Sequence, residues 1–334
     1  MDNCKQLPRM DQSVSTGPSS RASSVIRKQT VRVKGVPLKR DAVLVKDQAF
    51  LVSGGFIKTA SLGQVNEEWL EDIEEPEEVI QALKAAPLKV DILRFWQRIP
   101  EIEAKYNYYK EWRDVAAIPI TDYKDWFERK IVPQARNKIR KTQKFGVVIQ
   151  ETKLSDNLVR GIMGIFNQSP VRRGKRFWHY GKDFETVKKE MSLELSDSIF
   201  VTAYYGNELI GFIKLLLADR YAMIVLILDK TVHRNKAPMN GMIAKAVEIC
   251  DQRKIPYIVY TVWRRGEHGK FQESIGFERI PVPEYFVPVT PKGAIALRLG
   301  LHKGLRGLIP GRMMVWLLAL RANWYSFRYH HKPA

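Results

Sequence analysis

Cysteine is nearly absent from this 334-residue chain, which has only Cys4 and Cys250, far apart in sequence. Neither a disulfide framework nor a Cys-x-x-Cys metal pair can be built from them, which fits a reducing compartment. No His, Cys or Asp cluster has metal-ligand spacing, so no metal is expected. A Gly-x-Ser-x-Gly elbow is also missing, which argues against a serine hydrolase. No apolar run reaches the 18 or so residues of a membrane span. The longest one near the C-terminus, Met313–Leu320, lies between Arg312 and Arg321. Met1–Gln29 is polar and Ser-rich without a signal-peptide core, so residues 1–30 read as a disordered tail of a cytoplasmic protein. Acids are missing altogether after Glu284, against eight Lys/Arg in the same stretch.

What is abundant is positive charge. The formal net charge is +19, and it is unevenly spread. Glu67 to Glu78 holds eight acids in twelve residues and reads as a solvated helix start and linker. Arg129 to Lys144 holds seven basic residues and no acid. Such a field favours anionic partners without naming one. Coenzyme A phosphates, an acidic carrier protein, tRNA and an anionic membrane surface all qualify. With 45% hydrophobic residues the chain can bury one large core or two modest ones.

The order of elements is the strongest signal. Between residues 31 and 62 short β-like pieces are punctuated by Gly54-Gly55. Trp69 to Trp96 reads as helical, interrupted at Pro76 and Pro87, and Ala116–Pro119 as a short strand. A helix over Tyr123–Lys144, broken or kinked at Pro133, leads into a strand at Gly146–Gln150. Ser155 caps a helix whose Leu158, Val159, Ile162, Ile165 and Phe166 recur at helical spacing, with Pro170 beyond its end. Three strands then follow almost without loops: Ser198–Tyr205, Leu209–Ala218 and Tyr221–Leu228. The Gly206-Asn207-Glu208 turn suits a tight hairpin, and the nearly apolar third strand reads as central. A helix over Met239–Gln252 presents Met242, Ile243, Ala246, Val247 and Cys250 on one side, as against a sheet. A strand at Tyr257–Val262, a short helix near Lys270–Ser274 and an extended stretch to Val287 complete the series.

A three-strand meander feeding strand, helix, strand, helix and strand resembles the GNAT acyltransferase superfamily. The resemblance implies an α/β (α+β) fold with a mixed central sheet flanked by helices. It places a GNAT-like domain over 145–290, a small N-terminal α+β region with its basic linker helix over 31–144, and a basic amphipathic tail over 291–334. In that superfamily the junction after the third meander strand binds a donor pyrophosphate on backbone N–H groups at a helix N-terminus. The matching segment here runs from Asp229 to Gly241, and the cofactor-binding residues implied are Leu228, His233, Arg234, Asn235, Lys236, Met239, Asn240 and Gly241. Arg234 fills the place of the family's first Gln or Arg. The glycines expected three and five residues later are Ala237 and Met239, and Gly241 comes too late. A basic helix N-terminus without a ligand is the alternative.

Gly269–Phe277 resembles a second family segment, with Phe271, Glu273, Gly276 and Phe277 in place. Gln272 stands where the family often has a Tyr able to protonate a departing thiolate. Arg136–Val148 is similar to the Arg-rich helix of FemAB-like transferases, which move aminoacyl or acyl groups onto cell-envelope precursors. Those proteins carry a Phe-Lys-x-x-x-Gly segment, again with Gln272 at the Lys place. That similarity covers about 88–290, and the preceding residues are too few for a complete second GNAT unit.

The loop Pro170–Lys182 interleaves five basic residues with Phe177, Trp178, His179 and Tyr180. It reads either as the recognition site for an anionic or sugar-bearing acceptor or as a loop pinned to the domain by its rings. In the first case Arg173, Arg176, Trp178 and Lys270 bind substrate, and His179 is a base near neutral pH. Tyr180, Asp229 and Tyr260 are the further catalytic candidates. Taken together, the expectation is an acyltransferase using acyl-CoA, acyl carrier protein or aminoacyl-tRNA as donor and an amine or hydroxyl of an envelope precursor as acceptor. The rival is a catalytically inactive GNAT-fold module binding RNA or an anionic membrane. Around Leu297–Leu308 and Met313–Leu320 the tail can form interfacial helices, placing the protein peripherally on the inner membrane face.

Overall fold

A computed structural model describes residues 25–33, 36–46, 48–62, 73–172, 174–193, 195–218, 220–263 and 266–303, together with positions 313, 316, 318–321, 323, 324 and 327. In chain order the elements are β1 (Val25–Val33), β2 (Val36–Val45), β3 (Gln48–Ser53), β4 (Thr59–Leu62), α1 (Pro76–Ala85), β5 (Ile92–Trp96) and β6 (Tyr109–Pro119). Next come α2 (Tyr123–Asp125), a π-turn (Trp126–Lys130), α3 (Pro133–Lys144), β7 (Val147–Thr152) and α4 (Asp156–Phe166). The short β8 (Val171–Arg172) and β9 (Lys175–Arg176), α5 (Phe184–Met191), β10 (Ser198–Tyr205), β11 (Glu208–Ala218) and β12 (Tyr221–Asp229) follow. A 3₁₀ segment (Thr231–Lys236), α6 (Pro238–Gln252), β13 (Tyr257–Val262), α7 (Glu267–Ser274), β14 (Glu278–Pro288), α8 (Pro291–Arg298) and a 3₁₀ turn (Leu301–Lys303) end the series.

One twelve-stranded sheet runs through the molecule in the order β1-β2-β3-β4-β5-β14-β6-β13-β12-β11-β10-β7. The fold is a mixed α+β sheet flanked by helices, as the element order implies. Along β10, Phe200 packs with α4 and α5, while its neighbour Val201 packs with α3 and α6. This period-two alternation buries both faces of the meander. On the α4 side Ile162, Ile165, Phe166 and Phe212 are wholly buried. Burying one such side chain stabilises by roughly 1.5–3 kcal/mol.

The expected elements hold where patterning is strong. Ser155 caps α4 by accepting from the Leu158 amide at 3.3 Å, and Pro133 opens α3. Three expectations need correction. The first strand begins at Val25, inside the expected disordered tail; residues 1–24 lie outside those described. Pro76 starts α1 instead of interrupting a helix, since a proline at the first position loses no intrahelical bond. Ile92–Trp96 is a strand, because its apolar side chains are divided between two cores. Leu93 and Phe95 face one core with Tyr285 and Val287 of β14 and with Val289 just beyond it, and Ile92 meets Phe286 and Ala296 on the other side. Strand β14 thereby closes the N-terminal core as well as its own. The N-terminal segment in return sends β6 between β13 and β14.

Candidate active site

Strands β12 and β13 run parallel but pair only at Ala222 with Ile258 and Met223 with Val259. Just past those pairs each strand carries an extra residue relative to its outer neighbour. In β12 it is Val225, between the pairs Leu215 with Ile224 and Lys214 with Leu226. In β13 it is Tyr260, between Val259 with Ala117 and Thr261 with Ala116. A bulge bends its strand and increases the local twist. Two bulges at one level therefore drive β12 and β13 apart toward their C-terminal ends. Open parallel strands of this kind form the crevice where α/β sheets bind ligands.

The opening holds a cleft of about 1330 Å³. Its walls include Ile227, Leu228 and Asp229 of β12, Tyr260 of β13, Ala237, Met239 and Asn240 at the start of α6, and Lys138 of α3. The far side comes from Gln168, Arg172 and Phe177 and from Glu267, His268 and Phe271 on α7. This volume exceeds the roughly 300–1,000 Å³ of a drug-sized site, so it has room for two substrates.

Asp229 ends β12 with 5% of its surface exposed. Burial pushes its carboxyl above the ordinary aspartate value, against the pull of Arg234 and Arg172. Arg234 Nε stands 3.5 Å from its Oδ1. Arg172 donates to the Asp229 carbonyl oxygen at 2.9 Å and to Gln168 Oε1 at 3.4 Å. Gln168 in turn accepts from the Thr231 amide at 3.0 Å, tying the end of α4 to the loop before α6.

That loop keeps a glycine-type conformation without glycine. Ala237 has φ 54° and ψ 42°, in the left-handed region. Its carbonyl accepts from Thr142 Oγ1 at 3.0 Å and from the Asn240 amide at 3.1 Å. Gly241 has a different task. A Cβ there would stand 2.8 Å from Thr142 Cγ2 and 3.3 Å from Ile149, so its bareness lets α6 lie against α3 and β7.

The sequence-derived candidates thus divide. Leu228, Asp229, Arg234, Met239, Asn240 and Tyr260 line the cleft. His233 and Lys236 sit beside it, His233 bonded to Glu208 at 3.1 Å and Lys236 over the Tyr205 ring at 4.5 Å. Neither they nor Asn235, Gly241 and Lys270 are among its lining residues. His179 is 3% exposed, with its ring 4.1 Å from that of Phe166 and its Nδ1 3.3 Å from Lys182 Nζ. Burial, then Lys182 and Arg172, push its pKa down to about 3. It is therefore neutral near pH 7 and serves as a ring in the α4 core. Its neighbours Trp178 and Tyr180 are about half exposed, and Lys182 lies 4.3 Å over the Trp178 ring. Arg176 is exposed on β9, and Arg173 lies outside the described residues. Among the described residues no cluster is suited to a metal ion.

Lys138, Gln168, Arg172 and His268 were not singled out from sequence. Lys138 had a signal in the basic run of α3 and Arg172 in the basic loop Pro170–Lys182, whereas Gln168 and His268 had none. Phe277 is core at 3% exposed, whereas Phe271 is part-buried and faces the cleft. Gly276 owes its identity to φ 85° and to Trp126 Nε1, which would stand 2.8 Å from a Cβ.

Comparison with known proteins agrees with this geometry. FemX matches over 79% of this chain and 89% of its own, at 10% identity and a TM-score of 0.51. The C-terminal domain of a protein assigned as a lysylphosphatidylglycerol synthetase, from Agrobacterium fabrum, matches over 78% and 87%, at 13% identity and a TM-score of 0.52. The fold is that of GNAT/FemAB-like acyltransferases. No family model and no curated protein matches the sequence itself. Identities this low show the fold alone.

Proposed function

We propose that this GNAT/FemAB-like protein is an acyltransferase. It moves an acyl or aminoacyl group from a thioester or aminoacyl-ester donor to an amine or hydroxyl acceptor, with an envelope precursor as the acceptor class. The observation that carries the reading is the paired bulging of β12 and β13 over the 1330 Å³ cleft. A strand released from its neighbour leaves backbone N–H groups that can polarise a carbonyl, and in a water-poor cleft this electrostatic help is large. The N-terminus of α6, with Lys138 and Arg234 close by, suits the anionic part of a donor such as acyl-CoA.

Direct transfer in a ternary complex follows from a cleft with room for both substrates. The acceptor attacks the donor carbonyl, a C–N or C–O bond forms, and the donor's C–S or ester C–O bond breaks. Asp229, made more basic by burial, takes the acceptor's proton directly or through one water. Tyr260 lines the same cleft and has a phenolic proton for the leaving group, a role that the wholly buried Gln272 cannot fill. The glycines absent at Ala237 and Met239 favour an inactive module, and the left-handed Ala237 weakens that support.

A thermal-shift and calorimetric screen with acetyl-CoA, longer acyl-CoAs, acyl carrier protein and aminoacyl-tRNA tests the proposal. A true donor at a hundredfold excess over Kd stabilises by about 2.7 kcal/mol. Failure of all four classes to shift the transition would reject the acyltransferase reading.

A further inference from the structure

The interfacial helices expected around Leu297–Leu308 and Met313–Leu320 run in part through residues outside those described. Helix α3 is described throughout, and it carries most of the basic run seen in the sequence. Arg129 and Lys130 lie before it and pair with Asp125 and Glu278, each at 3.4 Å. Arg136 donates to the carbonyls of Glu128 and Ile131 at 2.8 and 2.7 Å and so holds the turn that precedes the helix. The other four cations, Lys138, Arg140, Lys141 and Lys144, are exposed and form no ion pair with a described carboxylate. Phe145 completes this face, 43% exposed, with Lys141 Nζ 5.2 Å over its ring.

The cationic face begins at the cleft and leads away from it. Of the four cations Lys138 alone lines the cleft. At 3.6 residues per turn, Lys141, Lys144 and Arg140 stand about 60°, 120° and 160° further round the helix, out of reach of a donor seated inside. On its opposite side α3 buries Ala135, Ile139 and Thr142. Thr142 Oγ1 donates to the Ala237 carbonyl at 3.0 Å, which fixes the helix to the donor loop. Whatever α3 holds therefore sits at the mouth of the cleft. We propose that this face docks an acidic carrier protein, which delivers the acyl group on a phosphopantetheine arm. This deepens the acyltransferase reading and rests on it.

Charge and shape select the occupant. A second copy of this chain, itself at +19, is repelled. Nucleic acids draw their affinity from many phosphate contacts, and four cations on one helix supply few. One face of the Phe145 ring is also occupied by Lys141, which leaves a poor platform for a stacked base. An acidic helical protein brings carboxylates for the cations and apolar side chains for the ring. Its arm is joined by a single phosphodiester, which suits the N-terminus of α6 beside Lys138 and Arg234.

Titration calorimetry of the full chain in 0.15 M salt tests the inference, with an octanoyl acyl carrier protein and octanoyl-CoA as probes. Arg140→Gln/Lys141→Gln/Lys144→Gln lowers affinity for the carrier protein by about tenfold or more, the sum of three exposed ion pairs. Phe145→Ser lowers it by about threefold or more. Both variants bind octanoyl-CoA within about threefold of wild type, because screening confines the lost charges to their own surroundings. Their unfolding midpoints stay close to wild type, since all four side chains are exposed. Carrier affinity unchanged in the triple variant overturns the inference. Octanoyl-CoA binding without carrier binding also overturns it and leaves the acyltransferase reading standing, which falls only if every donor class fails. A third refutation is tRNA or a phosphatidylglycerol vesicle that binds more tightly than the carrier protein and loses that advantage in the triple variant.

Discussion

Replacing Ala237 by glycine should stabilise this protein. Ala237 sits at φ 54° and ψ 42° between the 3₁₀ segment and α6. A left-handed conformation costs an L-residue about 1–2 kcal/mol, because Cβ crowds the following carbonyl. Ala237→Gly removes that strain and leaves intact the four hydrogen bonds, all made by backbone atoms at this position: Ala237 N to Arg234 O, Asn240 N and Gly241 N to Ala237 O, and Thr142 Oγ1 to Ala237 O. Against this, glycine adds freedom to the unfolded chain worth about 0.4–1 kcal/mol. The net expectation is a gain of about 0.5–1 kcal/mol. Ala237→Val should lose about 2 kcal/mol or more, since β-branching worsens the same contact. Urea unfolding reads both as midpoint shifts at constant m-value. Donor affinity in Ala237→Gly should stay within about twofold of wild type, because the amides of α6 keep their places. A glycine variant that is less stable, or a valine variant that is unaffected, would refute the left-handed assignment and the claim that this loop keeps its shape without glycine.

Asp229→Asn should raise stability near neutral pH while lowering turnover by about 100-fold or more. Its raised folded-state pKa means that ionisation is less favourable in the native state than in the unfolded one. The variant's advantage is therefore present at pH 7 and disappears as pH falls below the ordinary aspartate value, which unfolding curves across pH will show. For His179, whose folded pKa is pushed down to about 3, the sign is opposite. Its contribution is complete above the ordinary value of 6.5 and declines by up to about 1.4 kcal/mol per pH unit below it, so His179→Gln should flatten the acid limb of stability. Lys138→Ala/Arg234→Ala should weaken binding of a phosphate-bearing donor, with the deficit shrinking as salt rises, whereas Lys236→Ala should bind normally; titration calorimetry at two salt concentrations separates them.

How far the fold was legible depended on whether a signal was local. The meander, α4 and α6 declare themselves through period-two and helical patterns that each element carries by itself. Strand β5 does not. Ile92–Trp96 is short and apolar in both directions, because β14 and α8 cover it from chain segments about 190 residues away. Nothing within five residues distinguishes such a strand from the end of a buried helix. The same holds for β6, whose place between β13 and β14 is a tertiary choice that no propensity encodes.

The cleft was legible at its floor and obscure at its walls. Asp229, Arg234 and Tyr260 could be named because they end, follow or lie within apolar strands that sequence already revealed. Arg172, by contrast, belongs to a loop with eight cationic or aromatic neighbours, and only the fold shows which one turns toward Asp229. His179 misleads for a related reason. Its composition-level surroundings read as an acceptor site, yet Phe166 of α4 and the loop's own Phe177 and Trp178 enclose the ring, where an uncharged imidazole is simply the better fit. Missing glycines at the loop misled in the opposite direction. A motif records residue identity as a proxy for backbone conformation, and Ala237 shows that the conformation can persist after the residue has changed, provided neighbours such as Thr142 hold its carbonyl in place.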